Sequence, residues 1–192
     1  MLVPPDLVAD AVAEARRALG PAVDSDWSIP ATDLDWSCWT TGFHIADCLV
    51  FYASQIIDQA TEGYVPFEIT MTDGANPEEL LRTIVVCGAI LQRTVAAAQP
   101  GDRGYHNYGT SDAEGFTAMG VVETLVHTYD VATALGLHWR PPAEMCVPVL
   151  TRLFPDAPPG DPSDVLLWCT GRTVLDGRPR RTQWRWDGTV RD

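Results

Sequence analysis

The chain contains no lysine: all 13 of its basic residues are arginine, set against 26 aspartates and glutamates, for a formal net charge of −13. So acidic a chain argues against nucleic acid as a partner, because phosphate contacts need clustered cationic side chains. It also lacks any C-x-x-C pair. The five cysteines (Cys38, Cys48, Cys87, Cys146 and Cys169) fit neither a zinc ribbon nor a thioredoxin-type redox motif, and read as small buried thiols. No apolar run looks long enough to cross a bilayer, and "MLVPPDLVADAVAEARRALG" lacks the basic start and apolar centre of a signal peptide. The expectation is a cytoplasmic protein with no membrane partner.

At 192 residues and 46% hydrophobic content, the chain can bury one sizeable core, or one core with an appendage. Apolar residues at Leu7, Val8, Ala11, Val12, Ala15 and Leu19 recur at the helical period and stop at Gly20-Pro21. Trp27 and Trp36 sit in a turn-rich stretch that reads as a packed loop. "TTGFHIADCLVFYASQIIDQA" predicts a second helix from about Thr40, with Thr40 or Thr41 as its cap and Gly63 beyond its end. Asn76-Pro77-Glu78-Glu79 combines a cap, a first-turn proline and first-turn acids, so a third helix should start there and run to about Ala98. A loop, "GDRGYHNYGTSDAEG", then leads into a fourth helix reaching Gly136. Four such segments without a strong strand between them predict an all-α fold, a four-helix bundle over residues 1–140. Residues 141–192 read as an extension packed on it, with short helices in "AEMCVPVLTRLF" and "SDVLLWCTGRTVL" joined by the proline-rich "PDAPPGDP".

The fourth segment, "GVVETLVHTYDVATALGL", is apolar on most sides yet carries three ionisable residues. At about 100° per residue, Glu123, His127 and Asp130 fall within one wedge of roughly 60°. Burying unpaired charge costs several kcal/mol, so three readings compete: a wedge facing solvent, a buried Glu123–His127 pair, or two ligands of a metal. A third ligand must come from another helix, and the chain has only four histidines: His44, His106, His127 and His138. His44, near the start of the second helix, would complete a His₂Glu set with a position open to water or substrate, the catalytic pattern for zinc. Cys48, one turn after His44, is a rival ligand, though a buried thiol is its plainer reading; Asp47 should face solvent. Asp130 is the candidate to orient a ligand histidine. His106, Asn107 and Tyr108 precede the fourth helix and are candidates to line a pocket mouth.

Six arginines (Arg172, Arg178, Arg180, Arg181, Arg185 and Arg191) crowd the C-terminal tail, which reads as a solvated segment folded back on the acidic body, with anion binding as the other reading. The tail tryptophans, Trp168, Trp184 and Trp186, would cap the bundle or form a dimer contact, leaving the chain a monomer or a homodimer.

"LDWSCWTTGFHIADCLVFYASQI", followed after the third helix by "GFTAMGVVETLVHTYDVATALGL", resembles the DinB-like superfamily, specifically its mycothiol-dependent maleylpyruvate isomerase branch. The likeness runs in outline from Trp27 to about Trp168. It implies a bundle holding a divalent metal, usually zinc, on a histidine of the second helix and a Glu-x-x-x-His of the fourth, here His44, Glu123 and His127. It implies further that the metal activates a low-molecular-weight thiol, such as mycothiol or bacillithiol, for S-transfer to, or isomerisation of, a small electrophilic substrate. Metal-activated water in a hydrolase or tailoring enzyme is the second reading. A stress protein that binds metal or a small molecule without turnover is the third.

Overall fold

In the computed structural model, which describes residues 3–190, the helical periodicities become six α-helices and no strand beyond isolated β-bridges among the described residues. Arg191 of the tail lies outside the described residues. The N-terminal stripe forms α1 (Asp6–Leu19), which buries Val8, Ala11, Val12, Ala15 and Leu19. A short 3-10 turn follows it (Gly20–Ala22).

Helix α2 (Cys38–Asp58) starts two residues earlier than its periodicity predicts. Neither Thr40 nor Thr41 is the cap: the Ser37 side chain accepts from the Thr40 amide at 3.1 Å. Gly63 does lie beyond its end, and Gln59 is the residue that takes the left-handed conformation at its cap. Helix α3 (Pro77–Ala97) begins as its sequence predicts, on a full capping box between Asn76 and Glu79. Helix α4 (Ala113–Ala134) is capped by Asp112, which accepts from the Gly115 amide at 2.8 Å and pairs with Arg152 of α5 (Ala143–Leu153) at 3.2 Å. Helix α6 (Pro162–Cys169) follows the proline-rich connection, capped by Asp161.

The four long helices pack in a ring, α1 against α3 and α4, and α2 against those same two. Close approach is achieved where side chains are missing. A methyl on Gly88 would lie 2.7 Å from a Val12 methyl, joining α3 to α1, and one on Gly120 would lie 2.5 Å from Leu91, joining α4 to α3. Packed by α1, α2, α3 and α5, α4 is buried on nearly every side, so its wedge of polar residues lies inside the protein. One correction concerns apolar length. α3 is long and apolar enough, at a mean hydropathy of 1.5, to meet the composition of a membrane span, yet Leu80, Leu81, Ile84, Leu91 and Val95 bury it against the other helices.

α5 packs on α4 and α6 on α5, and their buried residues Cys146, Val149, Leu153, Val165 and Leu166 join the same core cluster as α1–α4. Beyond α6 the chain runs back over this end of the protein. The Asp187 amide donates to the Leu153 carbonyl at 2.8 Å and the Gly188 amide to that of Tyr108 at 2.9 Å. The tail arginines fold onto the body as read from sequence: Arg180 pairs with Asp33, while Arg178 and Arg181 stack on Trp168. All five cysteines are free and buried.

Candidate metal centre

The wedge on α4 meets α2 at the floor of a cavity of about 650 Å³. Glu123 is the hub. Its Oε2 lies 3.0 Å from Nε2 of His127, one turn on, and 3.9 Å from Nε2 of His44 on α2. The other carboxylate oxygen, Oε1, accepts from the Tyr52 hydroxyl at 3.3 Å, so Oε2 is the oxygen left to face both histidines. His44 is wedged edge-on between rings, with centroids 4.9 Å from Trp36 and 5.1 Å from His127, which limits how the imidazole can turn.

Behind this face lies a second layer. Nδ1 of His127 donates to Asp130 Oδ2 at 3.1 Å, and Asp130, 1% exposed, is gripped by Arg172 through Nε at 3.2 Å and Nη2 at 2.8 Å. Arg172 reaches in from the segment after α6 and spends its remaining nitrogen, Nη1, on the Thr170 carbonyl at 2.7 Å. The result is a buried relay of alternating charge: Arg172, Asp130, His127, Glu123. Such a carboxylate–imidazole relay is what fixes the tautomer and orientation of a metal-ligating histidine.

Both nitrogens of His127 face carboxylates, so in the metal-free protein both carry protons. Burial disfavours that charge, but the hydrogen bonds to Asp130 and Glu123 outweigh it and lift the pKa to about 9. Burial likewise pushes the carboxyls of Glu123 and Asp130 up, and the neighbouring His127 together with Arg172 reverses this, holding both below their ordinary values. For His44 burial wins over the pull of Glu123 and the pKa falls, leaving a neutral imidazole with a lone pair to offer. The contribution of His127, whose folded pKa is raised from 6.5, is present in full below pH 6.5 and lost as pH climbs through about 9. The contributions of Glu123 and Asp130 are present above the carboxylate range and lost as pH falls through their lowered values. Urea midpoints of the metal-free protein should therefore peak on the acidic side of neutrality and decline toward pH 9. A flat profile from pH 6 to pH 9 would contradict the doubly hydrogen-bonded imidazolium.

His44 of α2 thus lies beside Glu123 and His127 of α4, and Asp130 stands behind His127. The wedge does not face open solvent. His106 and Tyr108 line the same cavity. His106 accepts from the Tyr108 amide on Nδ1 at 3.0 Å, which leaves its proton on Nε2, and burial lowers its pKa to about 4, so it is neutral. His138 lies in a separate, smaller recess beside Tyr129. Asp47, expected in solvent, is half-buried on the cavity wall because α2 turns that edge toward the opening.

Arg172 and the place of the tail tryptophans escape the sequence reading. Arg172 looks like one more tail arginine, and no local pattern marks it, since its partner lies 42 residues away. Trp184 and Trp186 do close over one end of the protein, but they do so as walls of this cavity, with Trp186 packed on His106 at 5.6 Å and Trp184 under the Arg172 guanidinium at 5.5 Å. Cys48, buried as its plainer reading has it, also stands beside His44, with Sγ 3.3 Å from His44 Nε2. Among the described residues, the donor atoms of His44, Cys48 and Glu123 are the set that lies mutually within 4.8 Å, with His127 joined to it through Glu123. Compared with known proteins, the chain matches no family model, no curated protein and no solved structure.

Proposed function

We propose that the chain is a metal-dependent enzyme of the DinB-like type, a four-helix bundle of α1–α4 with residues 141–192 packed on it, in which His44, Glu123 and His127 hold one divalent cation. The observation that carries this reading is the convergence of two imidazole Nε2 atoms on one oxygen of a largely buried carboxylate, at 3.0 and 3.9 Å, on the floor of a cavity. Two histidines and one carboxylate form a donor set suited to zinc, and the relay behind His127 is the support such a ligand normally has. A divalent cation there would supply Lewis acidity, favouring the deprotonated form of a thiol or water brought to it.

The chain's own groups do the rest. Asp130, clamped by Arg172, keeps the Nδ1 proton of His127 in place, so Nε2 is the nitrogen that gives up its proton and turns its lone pair to the site. Tyr52 holds Glu123 in the rotamer that presents Oε2. The Nε2 proton of His106, left free by its contact with Tyr108, is available to a substrate oxygen. Aromatic walls formed by Trp36, Phe51, Tyr64 and Trp184 suit a small unsaturated molecule.

Within this reading the activated group is a low-molecular-weight thiol of the mycothiol type, used for S-transfer to, or isomerisation of, a small electrophile. The resemblance of the α2 and α4 segments supports the thiol, and a cavity of about 650 Å³ accommodates a thiol and a small acceptor together. Five unpaired cysteines accord with a reducing compartment, the cytoplasm. Calorimetric titration of the metal-loaded protein with mycothiol and with bacillithiol is expected to give saturable binding of at least one of them. Failure of both to saturate by millimolar concentration would remove the thiol and leave metal-assisted hydrolysis or binding without turnover.

A further inference from the structure

Given His44, Glu123 and His127 as ligands, on which this depends, we infer that the Cys48 thiol is a fourth donor to the same cation, holding in the resting protein the position that an external thiol must take. The helix places it there: one turn beyond His44 on α2, Cys48 shares its face. Four donors at zinc distances of about 2.0–2.3 Å from a common centre lie roughly 3.3–3.6 Å from one another. Here the donor atoms of His44, Cys48 and Glu123 lie mutually within 4.8 Å, Cys48 Sγ being 3.3 Å from His44 Nε2 and His44 Nε2 3.9 Å from Glu123 Oε2, while His127 Nε2 joins this set through Glu123 Oε2 at 3.0 Å. Tyr52 donates its hydroxyl to Glu123 Oε1, which leaves Oε2 to face His44 and the cavity that Cys48 also lines. Cys48 is also the sole cysteine of the chain that lines this cavity.

Charge points the same way. A divalent cation with Glu123, Asp130, Arg172 and two neutral histidines leaves one positive charge in a buried cluster, with Asp47 half-buried outside it on the cavity wall. A single thiolate brings the cluster to zero, which lowers the cost of keeping it out of water. Cys48 thiolate and an external thiolate satisfy this equally, so one can replace the other. In that exchange the incoming thiol loses its S–H proton, Cys48 Sγ gains one, and no electrons change hands. Ligand exchange of this kind keeps the site closed until a thiol arrives.

Cobalt(II) reads the assignment directly, because a thiolate bound to it adds an intense charge-transfer band in the near ultraviolet. The full chain, stripped of metal and loaded with one equivalent of Co²⁺ without added thiol, should show that band. Cys48→Ser should lose it while keeping the visible bands of bound Co²⁺, and 2-mercaptoethanol should bring it back. Cys48→Ala, checked for helix content by circular dichroism, should behave alike, which separates ligation from a folding defect. Wild-type protein that binds Co²⁺ without a thiolate band would overturn the Cys48 assignment alone, as would a band that persists in both variants. A wild-type chain that binds no Co²⁺ would overturn the underlying metal reading with it.

Discussion

Asp130→Ala is expected to destabilise the metal-free protein by about 3–5 kcal/mol, measured as the shift of its urea unfolding curve at neutral pH. Asp130 is 1% exposed and accepts from both Arg172 and His127. Its removal leaves a guanidinium and an imidazolium facing each other in a buried space without the carboxylate between them. Total stabilities of about 5–15 kcal/mol make such a loss a large fraction of what the fold has. The destabilisation belongs to the stranded cations and not to the pair itself, so Asp130→Ala combined with Arg172→Met should recover a good part of it. A single-variant cost below about 1 kcal/mol would mean that the relay is solvated and does not hold His127. Asp130→Asn, which keeps the shape but not the charge, should retain more stability and still lower metal affinity by about 10- to 100-fold, the usual effect of losing a ligand's orienting partner.

His127→Ala is expected to cut metal affinity by roughly 10²- to 10³-fold. Structural zinc sites release about 10–16 kcal/mol over four ligands, or about 2.5–4 kcal/mol for each. Glu123→Gln should do likewise, because the amide keeps the hydrogen bond from Tyr52 but offers no anionic donor. Competition against a chromophoric chelator measures both. The pH dependence gives a second reading of the same site. His127 titrates at about 9 in the metal-free protein, so the cation must displace one proton from it at neutral pH. His127 should therefore contribute about tenfold per pH unit to the affinity up to pH 9 and nothing above it. In His127→Ala that contribution to the slope should be lost along with the affinity. A wild-type affinity independent of pH below 9 would exclude His127 as a ligand.

Local chemistry made much of this legible in sequence. Asn76 and Glu79 announced α3 because a capping box needs only residues within one turn. Glu123, His127 and Asp130 could be placed on one face because helical geometry is set by spacing alone, but whether that face met solvent or the interior depended on how α1, α2, α3 and α5 pack around α4. The start of α2 was read late because Cys38 and Trp39 do not look like a first turn, whereas the Ser37 hydroxyl had already found the Thr40 amide. Cys48 could be placed near His44 by spacing, but whether its thiol faced the core or the site depended on where Glu123 and Tyr52 sat. Arg172, Trp184 and Trp186 were out of reach for a different reason: each acts only once α6 has docked and the tail has returned across Tyr108, and no local period encodes that return.

The central claim is that one divalent cation belongs on His44, Glu123 and His127. It is tested most directly by elemental analysis of the full chain purified without added metal, followed by calorimetric titration of the stripped protein with Zn²⁺ at neutral pH. The account predicts about one equivalent of metal in the purified protein and a single saturable site in the titration, both lost in His127→Ala. Wild-type protein that neither carries nor binds the cation, or a variant that binds it unchanged, would contradict the account and leave the Glu123–His127 contact as a buried ion pair.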